Sequence, residues 1–320
     1  MTRDRIYIYP VSIIKTISAK QTSDTLDSSN VVSFYALYEL TKPRLSLLSV
    51  FTAALGFLLH KPLQNDWLLF VALLLGTAFA AGGVASLNQW MERKEDSKMA
   101  RTASRPLPSN LISPRFAFVY GVILSSLGLL VLGLGTNIWA MSLTFATLVI
   151  YLFLYTPLKK VSPYATEIGA ISGALPPLIG WVAAAGVPSP YGWILFGILF
   201  TWQLPHFMAI AWNFRDDYNK GGFKLHQLGT DQGRNLALKS LFYTFLLTFF
   251  VFSPYFLPTT QGAPSSFYLF SAILLSIYLF IPALKFFFSD NRDKFAKKLF
   301  FVTIIYLPLL LATLVIDRYL

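Results

Sequence analysis

The sequence predicts an all-α, polytopic membrane protein: nine transmembrane helices in one bundle, with the N-terminus cytoplasmic. Three observations carry this. Hydrophobic residues make up 55% of the 320-residue chain and charged residues only 13%, against about 25% charge in soluble domains. The charge-free stretches come in lengths that suit one or two spanning helices. The basic residues then fall almost entirely on one side of the topology those lengths imply.

The stretches without Asp, Glu, Lys or Arg are 45–59, 67–91, 116–158, 168–214, 240–284 and 299–316. A spanning helix takes about 20 residues, so 67–91 and 299–316 hold one each. The short 45–59 holds one if it extends back across Pro43 or tilts little. The stretches 116–158, 168–214 and 240–284 are each about twice that requirement, and turn chemistry interrupts each near its middle: Gly133–Asn137, Gly186–Pro190 and Pro258–Pro264. Those are three helical hairpins.

Nine helices put the termini on opposite sides, and Lys and Arg concentrate on the cytoplasmic side of membrane proteins. With the N-terminus cytoplasmic, 24 of the 26 basic residues lie on that side and only Lys61 and Arg318 face outward. The net charge of +11 and pI of about 9.7 are therefore explained by orientation in a lipid bilayer, without nucleic acid. The absence of cysteine removes disulfides, thiolate metal sites and a Cys nucleophile. Residues 1–33 contain three Asp, no long apolar run and no small-residue cleavage site, unlike a secretory signal. A mitochondrial transit peptide would carry more Arg and fewer acids, which favours a bacterial cytoplasmic membrane over a mitochondrial inner membrane. The expected organisation is a flexible cytoplasmic segment, 1–33, and a membrane domain, 34–320. The latter divides into related four-helix halves, 34–160 and 161–287, plus a ninth helix at 297–316.

Two cytoplasmic loops carry the chemistry, Glu92–Arg115 and Arg215–Lys239. If the second span continues into the first loop, Asn88, Glu92 and Asp96 fall at i, i+4 and i+8 on one helix face. Hard oxygen donors one turn apart suit Mg²⁺, which also takes phosphate oxygens. Lys98, Arg101 and Arg105 follow at once, and basic residues beside a metal-loaded carboxylate face are what an organic diphosphate requires. The second loop echoes the first about 125 residues along, with Asn213 and Asp217 at i, i+4 on an emerging helix and basic residues beside them. The plainer reading is that such acid–base pairs only cap helices.

Several runs match a known family in order. They are Thr41-Lys-Pro-Arg44; the Asn88–Glu92–Asp96 segment with Lys98-Met-x-Arg101-Thr-x-x-Arg105-Pro-Leu-Pro108; Tyr155-Thr-Pro-Leu-Lys-Lys160; Gly173-Ala-Leu-Pro-Pro-Leu-Ile-Gly-Trp181; Trp202-Gln-Leu-Pro-His-Phe207; and Asp216-Asp-Tyr-Asn-Lys-Gly-Gly222. Over roughly residues 40–316 the chain resembles the UbiA superfamily of membrane prenyltransferases. The Met-x-Arg-Thr-x-x-Arg-Pro and Trp-Gln-x-Pro-His-Phe runs resemble its haem-directed branch.

The resemblance implies transfer of farnesyl from farnesyl diphosphate to the 2-vinyl group of haem b. The products would be haem O and diphosphate, for terminal oxidase assembly, with Mg²⁺ as cofactor and haem b as substrate. Haem A synthase or oxidase assembly factors are the implied protein partners. Carried over by position, Asn88, Glu92 and Asp96 belong to a first Mg²⁺–diphosphate motif and Asp216 and Asp217 to a second, with Asp217 a metal ligand. Lys42, Arg44, Lys98, Arg101, Arg105 and Lys159 would hold phosphate oxygens. Many family members have Asp where Glu92 stands, and Glu reaches one methylene further.

His206, inside the sixth span, is a haem-binding candidate or else bonds a carbonyl freed by Pro205. Glu167 begins the fifth span, where an acid also suits the helix N-terminus. His60 and His226 read as interface and loop residues. Two rivals remain: a prenyltransferase for a quinone precursor or chlorophyllide, and a secondary transporter. A transporter would hold its ionisable groups near the bilayer midplane, whereas nearly all the acids here sit in loops.

Overall fold

Apolar runs bounded by Ser, Asn, Pro and Gly dictate the helix ends. In the computed structural model, which describes residues 34–224, 233–257 and 264–320, Ser113, Asn137 and Ser189 cap helices whose first turns hold Pro114, Ile138 and Pro190. Their side chains accept from the backbone N–H of Phe116, Ala140 and Gly192 at 3.3, 3.0 and 3.4 Å. Each satisfies a first-turn donor. Gly186, in the left-handed region at φ 82°, ends the helix before Ser189.

The described elements are α1 (Phe34–Leu40), α2 (Pro43–His60), α3 (Trp67–Asp96), α4 (Pro114–Gly135), α5 (Ile138–Val149), a π-helical turn (Ile150–Tyr155), α6 (Thr156–Leu158), α7 (Ala165–Ala185) and α8 (Pro190–Asn213). Then follow α9 (Arg215–Lys220), α10 (Arg234–Phe252) with a 3₁₀ turn (Ser253–Phe256), α11 (Ser266–Phe288) and α12 (Arg292–Tyr319). All of this is helical, as the sequence predicts. Nine of the described segments are long and apolar enough to cross a membrane, with α5 through α6 forming one span. Two expected hairpin turns fall at Gly133–Asn137 and Gly186–Pro190. Of the third, residues 258–263 lie outside the described residues, as do segment 1–33 and His226.

The helices differ in how much they face lipid. α7 and α8 are 72% and 67% buried in their most apolar windows, whereas α4 and the α5–α6 span are 28% and 22% buried. The first pair is therefore the axis of the bundle and the second lies at its rim. α2 crosses α7 at backbone contact: a Cβ on Gly56 would overlap the Pro177 carbonyl, and one on Gly180 would overlap that of Ala53. Close approach of this kind is how membrane helices gain dispersion contact when lipid is as apolar as the side chains. Asn137 adds a polar tie, its Nδ2 donating to the Val182 carbonyl of α7 at 2.9 Å.

Three features depart from the sequence expectation. A short helix, α1, precedes the first span and buries Ala36 and Leu40 against Leu107, Ile112 and Ala117. The ninth span begins at Arg292, not 297, because charged residues occupy its first turns. Finally, Asn213 and Asp217 do not share one continuous helix. The chain breaks at Phe214 (φ −114°, ψ 24°), where Arg215 turns back to donate to the Trp212 carbonyl at 2.9 Å and stacks on the Trp212 ring.

Candidate active site

The last turns of α3 place Asn88, Glu92 and Asp96 on one face, as their spacing predicts, and all three side chains are buried. Each acceptor has its own base, from a different part of the chain. Lys42 Nζ donates to Asn88 Oδ1 at 2.7 Å, Lys159 Nζ to Glu92 Oε1 at 2.8 Å, and Arg105 Nη1 to Asp96 Oδ2 at 2.7 Å. The acids are thus compensated within the site, which buried charges require.

Local structure explains each base. Lys42 caps α2 from a left-handed conformation, φ 46° and ψ 60°, which strains a non-glycine residue by about 1–3 kcal/mol and delivers its side chain to α3. Burial, with the Arg105 guanidinium nearby, pulls its ammonium down to about 7. Lys159 follows the π-helical turn. Pro157 has no N–H to give, and just before it the Thr156 N–H and hydroxyl both donate to the Tyr151 carbonyl, the hydroxyl at 2.8 Å. Thr156 Oγ1 also accepts from Asn88 Nδ2 at 3.3 Å. Burial alone would lower the Lys159 pKa, but the Glu92 carboxylate beside it raises it. The Lys159 ammonium also lies 4.4 Å from the Tyr155 ring centre, a cation–π contact. Thr156, Tyr155 and the second-row pair Lys160–Glu95 at 2.7 Å were not singled out from the sequence. The Tyr-Thr-Pro-Leu-Lys-Lys run is the only signal for Tyr155, Thr156 and Lys160, and Glu95 has none.

The second loop meets the first. Arg101 reaches across to the rings of Phe214 and Tyr218, 5.6 and 5.8 Å to their centres. Met99, Phe223 and Ala165 form a buried cluster, and the Lys224 N–H donates to the Lys159 carbonyl at 2.7 Å. This places α9, with half-buried Asp217 and exposed Asp216, at the same end of the bundle. Arg44 and Lys98 are exposed at that end and stand outside the buried row. Glu167 pairs with Lys239 at 3.0 Å, and His60 packs edge-on against Trp181.

Below the row an apolar cavity of about 160 Å³ opens between α2, α3, α5 and α7. Lys42 and Tyr151 stand at its polar mouth, and Ser46, Ala81, Leu148 and Ile179 are among its walls. His206 lies elsewhere, facing α12. Its Nδ1 is 2.8 Å from Thr303 Oγ1, and its ring stacks on Trp202 and Phe300. Because the Thr303 hydroxyl donates to the Phe300 carbonyl, it accepts from His206, which puts the proton on Nδ1 and leaves Nε2 the acceptor nitrogen.

Among the described residues, no three His, Cys, Asp or Glu side chains cluster as a ready-made metal cage. The donors still fit Mg²⁺, which is held by one or two carboxylates together with phosphate oxygens. Glu92, Asp96 and the Asn88 amide supply hard oxygens, with Lys42, Lys159 and Arg105 near enough to turn to an anion. A buried row of hard donors and bases above an apolar cavity can hold a diphosphate headgroup and its hydrocarbon tail at once.

Comparison with known proteins agrees with this architecture. The UbiA prenyltransferase family profile matches residues 49–305. A protoheme IX farnesyltransferase of Opitutus terrae is 45% identical over 294 residues, spanning 92% of this chain and 98% of its own. One of Solibacter usitatus is 36% identical, spanning 88% and 97%. The mitochondrial protoheme IX farnesyltransferase of Arabidopsis thaliana is 37% identical, spanning 88% of this chain and 64% of its own. Two solved structures share the fold at low identity. A digeranylgeranylglyceryl phosphate synthase has a TM-score of 0.75 at 18% identity, covering 89% of this chain and 98% of its own. A UbiA homolog from Archaeoglobus fulgidus bound to DMAPP and Mg²⁺ has 0.59 at 14%, covering 87% and 99%. The chain belongs to the UbiA prenyltransferase family.

Proposed function

We propose that this membrane prenyltransferase transfers farnesyl from farnesyl diphosphate to the 2-vinyl group of haem b, giving haem O and diphosphate. One observation carries the reading: a buried row of three acceptors, each already facing a base, at the mouth of an apolar cavity. The identity to protoheme IX farnesyltransferases over most of the chain supports haem as acceptor.

In this reading Asn88, Glu92 and Asp96, with Asp217 from α9, would hold Mg²⁺, which would supply the charge that polarises leaving diphosphate oxygens. Lys42, Lys159 and Arg105 turn to phosphate oxygens and stabilise the charge that develops as the C1–O bond breaks. Arg101 closes over the headgroup from the outer side, and Arg44 and Lys98 draw the anion in. Asp216 would belong with Asp217 to the second diphosphate motif. The cavity takes the prenyl chain and excludes water from the allylic carbon. The C1 carbon bonds to the terminal vinyl carbon, water oxygen bonds to the inner one, and the water proton leaves with diphosphate. His206, with Nε2 as acceptor nitrogen, is the haem-contacting candidate. The enzyme sits in a bacterial cytoplasmic membrane with its N-terminus and this site facing the cytoplasm.

The test is direct. Purified protein is incubated with haem b, farnesyl diphosphate and Mg²⁺, and the extracted haems are analysed by chromatography and mass spectrometry. A Mg²⁺-dependent product of hydroxyethylfarnesyl mass is expected. Prenylation of a phenolic acceptor with haem untouched would overturn the acceptor assignment.

A further inference from the structure

Hydroxyls inside this bundle usually return to their own helix. Thr52, Ser86, Thr147, Thr201 and Thr244 each donate to the carbonyl four residues back, at 2.6–3.1 Å. Thr77 on α3 and Thr144 on α5 do not, and unlike Ser125, Ser240 and Ser276, whose hydroxyls are also unpaired among the described residues, they line the cavity. Both are 5% exposed, both line the apolar cavity, and neither hydroxyl has a hydrogen-bond partner among the described residues. Two buried donors of this kind are hydrated or else unsatisfied, and carbon pressed against them leaves them unsatisfied.

Their depth is the second observation. Thr77 lies eleven residues before Asn88 on the same unbroken α3, about 16 Å along the axis at 1.5 Å per residue. An extended prenyl chain advances about 1.25 Å per bond from ordinary carbon–carbon lengths, so three isoprene units reach about 15 Å and four about 20 Å. One turn deeper, Leu73 and Ala140 have no exposed surface and close the way on.

We propose that Thr77 and Thr144 form a polar floor that sets the length of the donor chain at three isoprene units. This rests on the prenyl-transfer reading above and deepens it. A farnesyl tail ends at the floor and leaves the hydroxyls hydrated. A fourth unit must strip that water and lay methyl groups on two donors. Polarity, rather than bulk alone, is then what discriminates.

The experiment measures binding and transfer separately, in detergent-purified protein with Mg²⁺. Binding is read as the rise in melting temperature with geranyl, farnesyl or geranylgeranyl diphosphate, and transfer as kcat/KM with haem b. In T77V/T144V, which replaces each hydroxyl by a methyl, the geranylgeranyl-to-farnesyl ratio should rise about tenfold or more. T77S/T144S enlarges the cavity but keeps both hydroxyls, and should leave the ratio within about threefold. Should the double valine variant fail to fold, T77V and T144V singly should each move the ratio about threefold. An unchanged ratio in the valine variants overturns the proposal, as does a serine variant that relaxes equally. Chain-length-dependent binding without transfer to haem would support the floor and bring down only the acceptor assignment.

Discussion

Replacing Lys159 with Met separates the structural from the chemical role of the row. Lys159 and Glu92 form a 2.8 Å ion pair whose side chains are 11% and 5% exposed, so solvent screens it little. Removing one member of such a pair strands a buried charge and costs about 3–5 kcal/mol. Lys42, bonded one turn away on Asn88, offsets part of that, which argues for the lower end. At roughly 1.5–2 °C per kcal/mol for a chain of 320 residues, Lys159→Met should lower the melting temperature in detergent by roughly 5–10 °C. The double variant Glu92→Gln/Lys159→Met removes both charges and should recover most of the loss. If Glu92 and Lys159 serve the diphosphate and its cation, turnover should stay absent in the double variant although the fold is restored. Recovery of turnover along with stability would refute the assignment of the pair to chemistry. An unshifted melting temperature in Lys159→Met would refute the premise that Glu92 depends on it.

Further outcomes follow from the same geometry. Asp96→Asn keeps an acceptor for Arg105 but removes the carboxylate charge, and transfer should fall by about a hundredfold or more while the melting temperature moves little; near-normal kcat would remove Asp96 from the metal set. Gly180→Val drives carbon into the Ala53 carbonyl and should lower the melting temperature by several degrees or abolish folded yield, overpacking typically costing about 1–3 kcal/mol; unchanged melting would show that α2 and α7 can part freely. Burial holds the Lys42 pKa near 7, below its ordinary 10.5, so the unfolded chain binds more protons between those values and stability should rise with pH across that window. Lys159, shifted upward, stays charged in both states there and contributes no slope. Melting of ligand-free protein at pH 7 and 9 should show the rise, and Lys42→Met should flatten it.

What was legible in the sequence was what chain-local rules decide. Charge-free runs bound the nine spans because a buried charge is costly wherever it falls, and the four-residue spacing of Asn88, Glu92 and Asp96 survives because α3 runs unbroken to Asp96. The partners of that row were only half legible. Arg105 stands nine residues from Asp96, but Lys42 arrives through a left-handed cap, and Lys159 through a π-helical turn. Neither backbone departure has a local signature beyond a neighbouring proline. The echo at Asn213 and Asp217 failed as a single helix face because Arg215 found a better partner in the Trp212 ring and carbonyl. Likewise, the Thr77 and Thr144 hydroxyls look like any intramembrane threonine until the missing back-bond is seen.

The one-to-one matching of Lys42, Lys159 and Arg105 to Asn88, Glu92 and Asp96 bears on the order of events. At rest each carboxylate of the row is closed by its own base, Glu92 by Lys159 and Asp96 by Arg105, while Lys42 bonds the neutral Asn88 amide. A diphosphate arriving alone would draw away the three bases and strand two buried carboxylates, and a divalent cation arriving alone would displace the same bases with nowhere to send them. Only cation and anion together let every charge change partners without any being left bare. If the row serves the proposed Mg²⁺ and diphosphate, it would act as an exchange lock: donor and metal would enter as one complex, and diphosphate and metal would leave as one.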